Sequence, residues 1–510
     1  MNAQPRPLLA WLTIVTIVTA AALAAMAEQG ERRLGTIGPP PREDPQRQTS
    51  AEGLPPLPLP VVPLRRSEPK AEPAPPLFVG KLRYGTWQDY MPNPGDIDNL
   101  LRHVRAQVDA WYGHTLIGLE EIAEQLDSAE GTAVPMLYMS GYHPFEFTEE
   151  ERDVLRQYIV DGGTLVAEAT LGSPEFTESF QNEMQQVFPQ RRLRRLDVDH
   201  PLFRGYYEYA NVHYFSVDGG VRTRSEGPPE FYGINVAART AVIFSPYDMS
   251  CGWDEFYAPP ASERVPDAAR TRAMMPEDAV RMGINIVAYV SAQRRFARAQ
   301  AETREVVGEQ PDQRAEMPLA LLRHQGDWNP DPNAMYQLIR QAAQRTSMPV
   351  AFELKAVDAT IEQLAETPLV VIAGMDEPEL SEQEVEALRR HLHAGGFIFI
   401  NNTSGFARFD REARELIRRI LPDQELEPLS PDHGVFASLF QIDAMRDAGT
   451  GEQRPAELEG VSLRGRTALI YSPNDTLAML KGVHDPYANA YDAESATRLS
   501  LNILTYAVRR

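Results

Sequence analysis

A chain of 510 residues is too long for one hydrophobic core and suits two or three domains. Its hydrophobic fraction of 43% is ordinary for a globular protein, and its formal net charge of −22 argues against binding to the phosphate backbone of nucleic acid. Cys251 is the only cysteine, so a disulfide within the chain is excluded. The short basic run at 190–195 is interpreted as a solvated loop, because the aligned stretch later in the chain is acidic.

The first 27 residues have the pattern of an export segment. Residues 8–27 are apolar and carry no charge, which is long enough for a membrane span. Arg6 precedes them, and Ala25-Met26-Ala27 is a small-residue pattern typical of a signal-peptidase site. A cleaved signal peptide is favoured over a retained membrane anchor, and in both cases the body of the chain is exported. Residues 28–76 then form a proline-rich, extended spacer.

Short apolar runs alternate with amphipathic patterns beyond the spacer. FVGKLRY, PMLYMS, TLVAEAT and TAVIFS are predicted strands. Thr148 and Glu151 form a capping box that begins a helix, and Gly162-Gly163 ends it. Nearly continuous apolar strands with helices between them are typical of a parallel sheet that is covered on both faces.

The chain repeats this unit. Residues 134–203 align without a gap to residues 367–436, so VPMLYMSG corresponds to TPLVVIAG and DHPLF to DHGVF. Flanking blocks such as ARTAVIFSPYD and GRTALIYSPND also correspond. A period this long indicates a duplicated domain rather than a solenoid. We predict an α/β chain with one domain at 77–296, a connector at 297–316 and a divergent second copy at 317–510. Each copy is expected to be a Rossmann-like or flavodoxin-like three-layer domain with a parallel sheet.

The ordered blocks KLRYGTWQDY, LYMSGYHPFEFTEEERDVLRQYIVDGGTL, DHPLF and SPYD resemble the bacterial domain-of-unknown-function 4159 family. The resemblance covers the first domain and, more weakly, the second. It implies the class I glutamine-amidotransferase-like superfold and, as partners, Bat-type membrane proteins of the bacterial envelope. The resemblance implies no established reaction.

Relatives in that superfold place a nucleophilic cysteine at a tight turn between a strand and a helix. The corresponding turn here contains Ser140, and the second copy has Ala373. Ser140 would need His143 or His200 as its base, and the alternative is a small residue that permits a close turn. Cys251 is interpreted as a free thiol in a loop rather than as a nucleophile.

Ligands of open parallel sheets bind beyond the carboxyl ends of the strands. In the first domain these ends carry aromatic residues and carboxylates, which are the candidate ligand-binding residues Tyr84, Trp87, Asp89, Tyr142, His143, Glu168, Tyr247, Asp248 and Trp253. Such residues could bind a small molecule or glycan, or a protein partner. The alternative is that the tryptophans pack in the core or at its rim. In the second copy, Asn401 stands in place of Glu168.

The pair Asp199-His200 recurs as Asp432-His433. A local turn is favoured over the start of a metal site, because no second histidine follows at a ligand spacing. The chain has no phosphate-binding glycine loop and no dinucleotide fingerprint, so we expect no metal and no cofactor.

Three functional hypotheses follow. The leading one is a non-catalytic, exported envelope protein that uses two degenerate amidotransferase-like domains for binding or assembly. The alternative is a carbohydrate-active or amide hydrolase confined to the first domain, with Glu168 as acid or base, Asp248 as its partner and His143 or His200 as a proton shuttle. The third is a scaffold that docks onto membrane partners through its acidic surface.

Overall fold

The computed structural model describes residues 74–126, 134–254, 270–302, 315–348, 350–481, 483 and 485–509. The predicted signal segment, the proline-rich spacer up to residue 73 and most of the connector lie outside the described residues. Within these ranges, no helix is both long and apolar enough to span a bilayer.

The first domain is built on a seven-stranded sheet with the strand order β2-β1-β3-β4-β9-β8-β5. Its strands are β1 (Leu77–Arg83), β2 (Gly113–Gly118), β3 (Met136–Gly141), β4 (Thr164–Ala169), β5 (Arg194–Arg195), β8 (Tyr232–Val236) and β9 (Arg239–Ser245). The first five strands in this order run parallel, whereas β8 pairs antiparallel with β9 and β5 pairs antiparallel with β8. The four predicted strands therefore become β1, β3, β4 and β9, and the antiparallel edge was not predicted.

Helices connect these strands and cover both faces of the sheet. They are α1 (Trp87–Tyr90), α2 (Asp96–Val108), α3 (Leu119–Leu126), α4 (Glu149–Val160), α5 (Pro174–Val187), α6 (Ser250–Trp253) and α7 (Pro276–Glu302). Helix α4 begins as predicted, because the Thr148 hydroxyl accepts the Glu151 N–H while the Glu151 carboxylate accepts the Thr148 N–H. The capping box in the sequence therefore predicted the first residue of α4 correctly.

A small antiparallel sheet is added to the first domain, with the order β10-β6-β7. It contains β6 (Val212–Asp218), β7 (Val221–Gly227) and β10 (Arg270–Met274). Residues 221–226 of β7 are all exposed, so this sheet contributes little to the core. The corresponding part of the second domain contains only the two-residue strands β16 (Met445–Arg446) and β17 (Gln453–Arg454).

The second domain repeats the main sheet in the order β12-β11-β13-β14-β19-β18-β15. Its strands are β11 (Ala315–Leu322), β12 (Val350–Val357), β13 (Leu369–Gly374), β14 (Phe397–Asn402), β15 (Glu427–Pro428), β18 (Glu459–Leu463) and β19 (Arg466–Ser472). Its helices are α8 (Ala334–Arg345), α9 (Ile361–Ala365), α10 (Glu382–His393), α11 (Ala407–Ile420) and α12 (Ala493–Val508). Two tandem α/β domains, each with a seven-stranded and mostly parallel sheet, are therefore present.

Each sheet separates two apolar cores because its central strands are buried on both faces. Along β3, Met136 and Tyr138 pack into one core and Leu137 and Met139 into the other. This is the period-two alternation of a strand that is covered on both sides. The continuous apolar runs of the sequence are explained by this double burial.

The basic run at 190–195 packs against the second domain, so its interpretation as a solvated loop is wrong. The Arg191 guanidinium pairs with the buried carboxylate of Asp327, and that of Arg194 pairs with Glu379. The side chain of Arg194 is only 15% exposed. Elsewhere between the domains, the Gln293 amide on α7 donates to Asp485 at 2.8 Å. The first domain is thus bound to the strand-end edge of the second domain.

Candidate functional site

The carboxyl ends of β3, β4 and β9 lie side by side at one edge of the first sheet. Gly141 ends β3 where no side chain fits, because a Cβ there would clash with the Tyr84 hydroxyl and the Phe176 ring. Leu171, just after β4, has a left-handed backbone with φ of +56°, and its counterpart Ser404 has +62°. Strained residues persist only where their surroundings hold them. The loops at this edge are therefore held in fixed positions.

Two buried carboxylates hold these loops. Glu168 near the end of β4 is 0% exposed, and its Oε2 accepts the N–H groups of Met249 at 2.7 Å and Ser250 at 3.1 Å. Asp248 after β9 is 1% exposed and accepts the N–H of Leu171 at 2.6 Å and of Cys251 at 2.9 Å. Asp248 therefore holds the strained residue, and Glu168 holds the turn that contains Asp248.

The pKa of Glu168 is raised by burial and, further, by the charge of Asp248. The pKa of Asp248 is also raised by burial, although its bonds from the Leu171 and Cys251 N–H groups oppose this. Two carboxyl groups in one dry site cannot both ionise at low cost. The pair therefore holds a proton at neutral pH, and Glu168 is the group whose pKa burial raises most clearly.

The second domain has the same arrangement with an amide in place of one acid. The Asn401 amide donates to Asp475 Oδ1 at 3.1 Å, and Asn401 Oδ1 accepts the Thr476 N–H at 3.0 Å. Asp475 also accepts the N–H of Ser404 at 2.7 Å, as Asp248 accepts that of Leu171. The second copy thus keeps the aspartate and its bond to the left-handed residue, with a neutral amide where the first copy has Glu168.

A buried ion pair that the sequence analysis missed lies beside these carboxylates. Lys81 Nζ is 2.7 Å from Asp96 Oδ2 and donates to the carbonyl of Asn93 at 2.9 Å. Asn93 in turn donates to the Ser250 hydroxyl at 2.8 Å. Burial raises the pKa of Asp96, and Lys81 opposes that rise. The sequence contained a signal, since Lys81 is a charged residue inside the apolar run of β1.

The buried Lys81–Asp96 ion pair is specific to the first domain. Lys81 pairs with Tyr138 across the sheet, and Leu321 pairs with Val371 at the same register in the second domain. Asp96 likewise corresponds to Ala334, a buried residue of the second core. The Lys81–Asp96 pair is therefore replaced by apolar residues in the second copy, whereas Asn401 and Asp475 keep the positions of Glu168 and Asp248 polar.

Ser140 lies in this edge but has no base beside it. Its side chain is 1% exposed, and its hydroxyl makes no hydrogen bond to any residue that the structure describes. His143 is exposed in the loop after β3. Burial raises the pKa of the Cys251 thiol, and Asp248 raises it further, so that thiol is held in its neutral form. Neither residue is arranged as an activated nucleophile.

The first loop combines a structural tyrosine with an exposed tryptophan. The Tyr84 hydroxyl is bonded to the carbonyls of Ser140 at 2.9 Å and of Asp89 at 3.0 Å, and burial raises its pKa. The Asp89 carboxylate caps α1 by accepting the N–H of Thr86 at 2.8 Å. Trp87 is 65% exposed and does not pack in the core. This loop therefore presents one large aromatic side chain to solvent.

The other aromatic candidates lie at different depths. Tyr142 contacts the ring of His143 edge-on, with 5.4 Å between centroids, and packs against Leu171. Tyr247 is half-buried and lies 4.3 Å from the ring of Tyr214. Trp253 is 1% exposed and belongs to the core. Trp87 and His143 are exposed, whereas Tyr142 and Tyr247 are half-buried.

His200 lies away from this edge. Its Nδ1 accepts the Leu202 N–H at 3.1 Å, and its Nε2 is 2.9 Å from the Thr240 hydroxyl, near the beginning of β9. Asp248 follows the other end of that strand, whose last residue Ser245 is roughly 17 Å from Thr240 for five extended residues. His433 makes the same two contacts, with Val435 and Thr467. The recurring histidine thus connects a local turn to the sheet in both copies.

No group of three or more histidine, cysteine or acidic side chains that could hold a metal ion occurs among the described residues. The family described as Domain of unknown function (DUF4159) matches the chain twice, over residues 79–290 and 318–508. No curated protein matches the chain.

Proposed function

The chain belongs to the DUF4159 family in both of its domains, and from this premise we propose that it is an exported envelope protein that binds or assembles with partners without catalysing a reaction. We also propose that both domains belong to the class I glutamine-amidotransferase-like superfold. The strand order 2-1-3-4-5 of the five parallel strands supports this, because it is the order of flavodoxin-like sheets.

The observation that carries the proposal is the immobilisation of the two carboxylates. Glu168 and Asp248 are 0% and 1% exposed, and both accept backbone N–H groups. A general acid or base must reach the proton that it transfers. The amide of Asn401 takes the place of Glu168 in the second copy, which supports a role for this pair in holding loops.

The surface of the same edge supports partner binding. Trp87 is 65% exposed, and Tyr142 and His143 lie after the neighbouring strand β3. An exposed tryptophan beside a tyrosine is typical of the centre of a protein interface, where such side chains dominate the binding energy. The partners that we propose are Bat-type envelope membrane proteins, as the family resemblance implies, and a glycan or small molecule is the other candidate ligand.

Export is proposed from residues 8–27, which precede the described residues. Cleavage would leave the protein in the periplasm, whereas retention would anchor it in the membrane. If the segment is retained, the spacer up to residue 76 would separate the domains from the bilayer.

The test is recovery of partners from solubilised membranes by the full chain with its spacer. Trp87→Ala should reduce the recovered partner at least tenfold, whereas Tyr336→Ala, which removes a 39% exposed aromatic of the second domain, should not. If the wild type and Trp87→Ala recovered equal amounts of partner, the proposed role of this edge in partner binding would be contradicted. Hydrolysis of an amide or glycoside that is abolished in Ser140→Ala or Glu168→Gln would refute the non-catalytic proposal.

One observation favours the alternative, a carbohydrate-active or amide hydrolase in the first domain. Burial raises the pKa of both Glu168 and Asp248, and the charge of Asp248 raises that of Glu168 further. Such pairs supply acid–base chemistry in hydrolases. This function would require the Met249–Ser250 turn to move and open the site to substrate. Activity assays with Glu168→Gln distinguish the two proposals.

A further inference from the structure

One face of helix α7 packs against the second domain. Its contact residues lie four or seven positions apart, which places them in one row along the helix. They are Tyr289, Gln293 and Gln300, and they contact Tyr487, Asp485 and Asp331, respectively. Gln293 and Asp485 are both 2% exposed, so their hydrogen bond lies inside the domain contact rather than at its rim.

The bond between Gln293 and Asp485 leaves one oxygen on each side chain without a donor. Asp485 Oδ1 accepts the Gln293 amide and the Tyr487 N–H, both at 2.8 Å. Asp485 Oδ2 and Gln293 Oε1 are buried, and neither has a hydrogen-bond partner within the described part of the chain. Both atoms are acceptors when Asp485 is ionised, so they cannot bond to each other. A proton on Asp485 Oδ2 supplies the missing donor, and Gln293 Oε1 is an acceptor on the residue already bonded to it.

The surroundings of Asp485 favour its protonated form. Burial raises the pKa of Asp485 to about 7, and the negative charge of Asp475, after β19, contributes to this rise. The two hydrogen bonds to Oδ1 and the guanidinium of Arg239, at the start of β9, oppose it. Tyr289 and Tyr487 are neutral in this range, because burial raises the pKa of both phenols. The proton therefore removes a buried charge that the neighbouring groups do not fully compensate.

We propose that Asp485 and Gln293 make the contact between the two domains proton-dependent. With Asp485 neutral, the two side chains form a reciprocal acid–amide pair: the Gln293 amide donates to Asp485 Oδ1, and the Asp485 hydroxyl donates to Gln293 Oε1. Loss of the proton removes the second bond and leaves a buried carboxylate between the domains, which weakens their contact. This goes beyond the proposed function, because it concerns how the domains are held together and involves a different surface from Trp87.

Raising the pH should weaken the contact between the domains. Separation of the domains would expose Asp485 to water and return its pKa towards the ordinary value of 3.8. Between 3.8 and about 7, the docked form therefore binds more protons than the separated form. The stability that this group gives to docking is complete below pH 3.8 and is lost as the pH rises through about 7. From pH 5 to pH 7 the equilibrium constant for docking should fall by up to roughly fiftyfold.

Infrared difference spectra of the full chain test whether Asp485 holds the proton. At pH 5 the wild type should show the carbonyl band of a protonated carboxyl group that Asp485→Asn lacks, and this band should disappear as the pH rises through about 7. Both proteins keep Glu168, so its band cancels. Gln293→Leu should move the Asp485 band to higher frequency because the amide bonds are lost, whereas Gln300→Leu, the same change elsewhere on α7, should not move it. The absence of the band at pH 5, or an unmoved band in Gln293→Leu, would overturn the proposal.

Hydrogen exchange of the full chain measures the domain contact itself. Asp485→Asn keeps the reciprocal pair, since its oxygen accepts and its amide donates to Gln293 Oε1, but it cannot ionise. At pH 5 the backbone amides of α7 and of residues 485–491 should exchange at rates within about twofold in the two proteins, whereas at pH 7 the wild type should exchange about tenfold faster or more. Comparing the proteins at one pH cancels the intrinsic exchange rate and any titration of His484, which lies outside the described residues. The same ratio of rates at pH 5 and pH 7 would overturn the proposal.

Discussion

Replacing Glu168 with glutamine tests whether this residue is protonated in the folded protein. The Asn401 amide already performs the equivalent task by donating to Asp475. A glutamine at 168 can accept the N–H groups of Met249 and Ser250 through its oxygen and donate to Asp248 through its amide. We therefore expect Glu168→Gln to change the free energy of unfolding by less than about 1 kcal/mol at pH 5.

The pH dependence gives the sharper test. Burial and Asp248 raise the pKa of Glu168 from 4.5 to about 8, so the folded state binds one proton more than the unfolded state between these values. The stability from this group is complete below pH 4.5 and is lost as the pH rises through about 8. The slope is about 1.4 kcal/mol per pH unit. From pH 5 to pH 7 the variant should gain about 3 kcal/mol relative to the wild type.

The assay is urea unfolding at several pH values, followed by the fluorescence of tryptophan, since Trp253 is buried in the first domain. Glu168→Ala is the comparison, because it leaves the Met249 and Ser250 N–H groups without an acceptor and should cost about 2–4 kcal/mol. Taking the difference between proteins cancels other groups that titrate in this range, such as Asp485. Parallel pH profiles of wild type and Glu168→Gln would mean that Glu168 is ionised in the fold.

Three further substitutions test individual contacts. Lys81→Leu should lower the free energy of unfolding by about 3–5 kcal/mol, because it leaves the buried Asp96 unpaired. Adding Asp96→Ala, the residue found in the second domain, should restore most of this stability in urea unfolding. A double variant no more stable than Lys81→Leu would contradict this. Thr148→Ala should lower the stability by about 1 kcal/mol through loss of the α4 cap, seen as a lower Tm. Gly141→Ala should lower Tm by several degrees because its Cβ has no room, whereas Gly227→Ala, in open space, should not.

Local patterns in the sequence predicted the central part of the fold. Apolar runs gave β1, β3, β4 and β9 because strands buried on both faces must be continuously apolar. Thr148 predicted the start of α4 because a capping box is satisfied within four residues, and α10 begins with the same device at Ser381. These features depend on neighbours in sequence, so a single chain is enough to recognise them.

Features that depend on distant residues were not predictable in this way. The partner of Arg191 is Asp327, which lies 136 residues further along the chain. The acidic stretch aligned to the basic run in the second copy suggested a solvated loop instead. Lys81 was passed over within a strand because its partner, Asp96, belongs to a different element. The antiparallel edge of β8 and β5 was missed because periodicity does not specify the direction of a strand.

The sequence predicted where the residues of the candidate site lie better than it predicted what those residues do. Glu168 and Asp248 were identified from their places at strand ends, and the structure brings them together with Tyr142 nearby. It does not bring His200 to that edge. Burial decides the difference, because a sequence shows which residues follow each strand but not which of them point inward.

The contact between the two domains is asymmetric in charge, although the domains share an ancestor. Arg191 and Arg194 of the first domain meet Asp327 and Glu379 of the second, but the second domain carries Gln424 and Glu427 at the matching loop positions. Two second domains brought together in this geometry would place acid against acid and repel each other. Charge divergence after duplication therefore favours this contact between a first and a second domain over the same contact between two second domains.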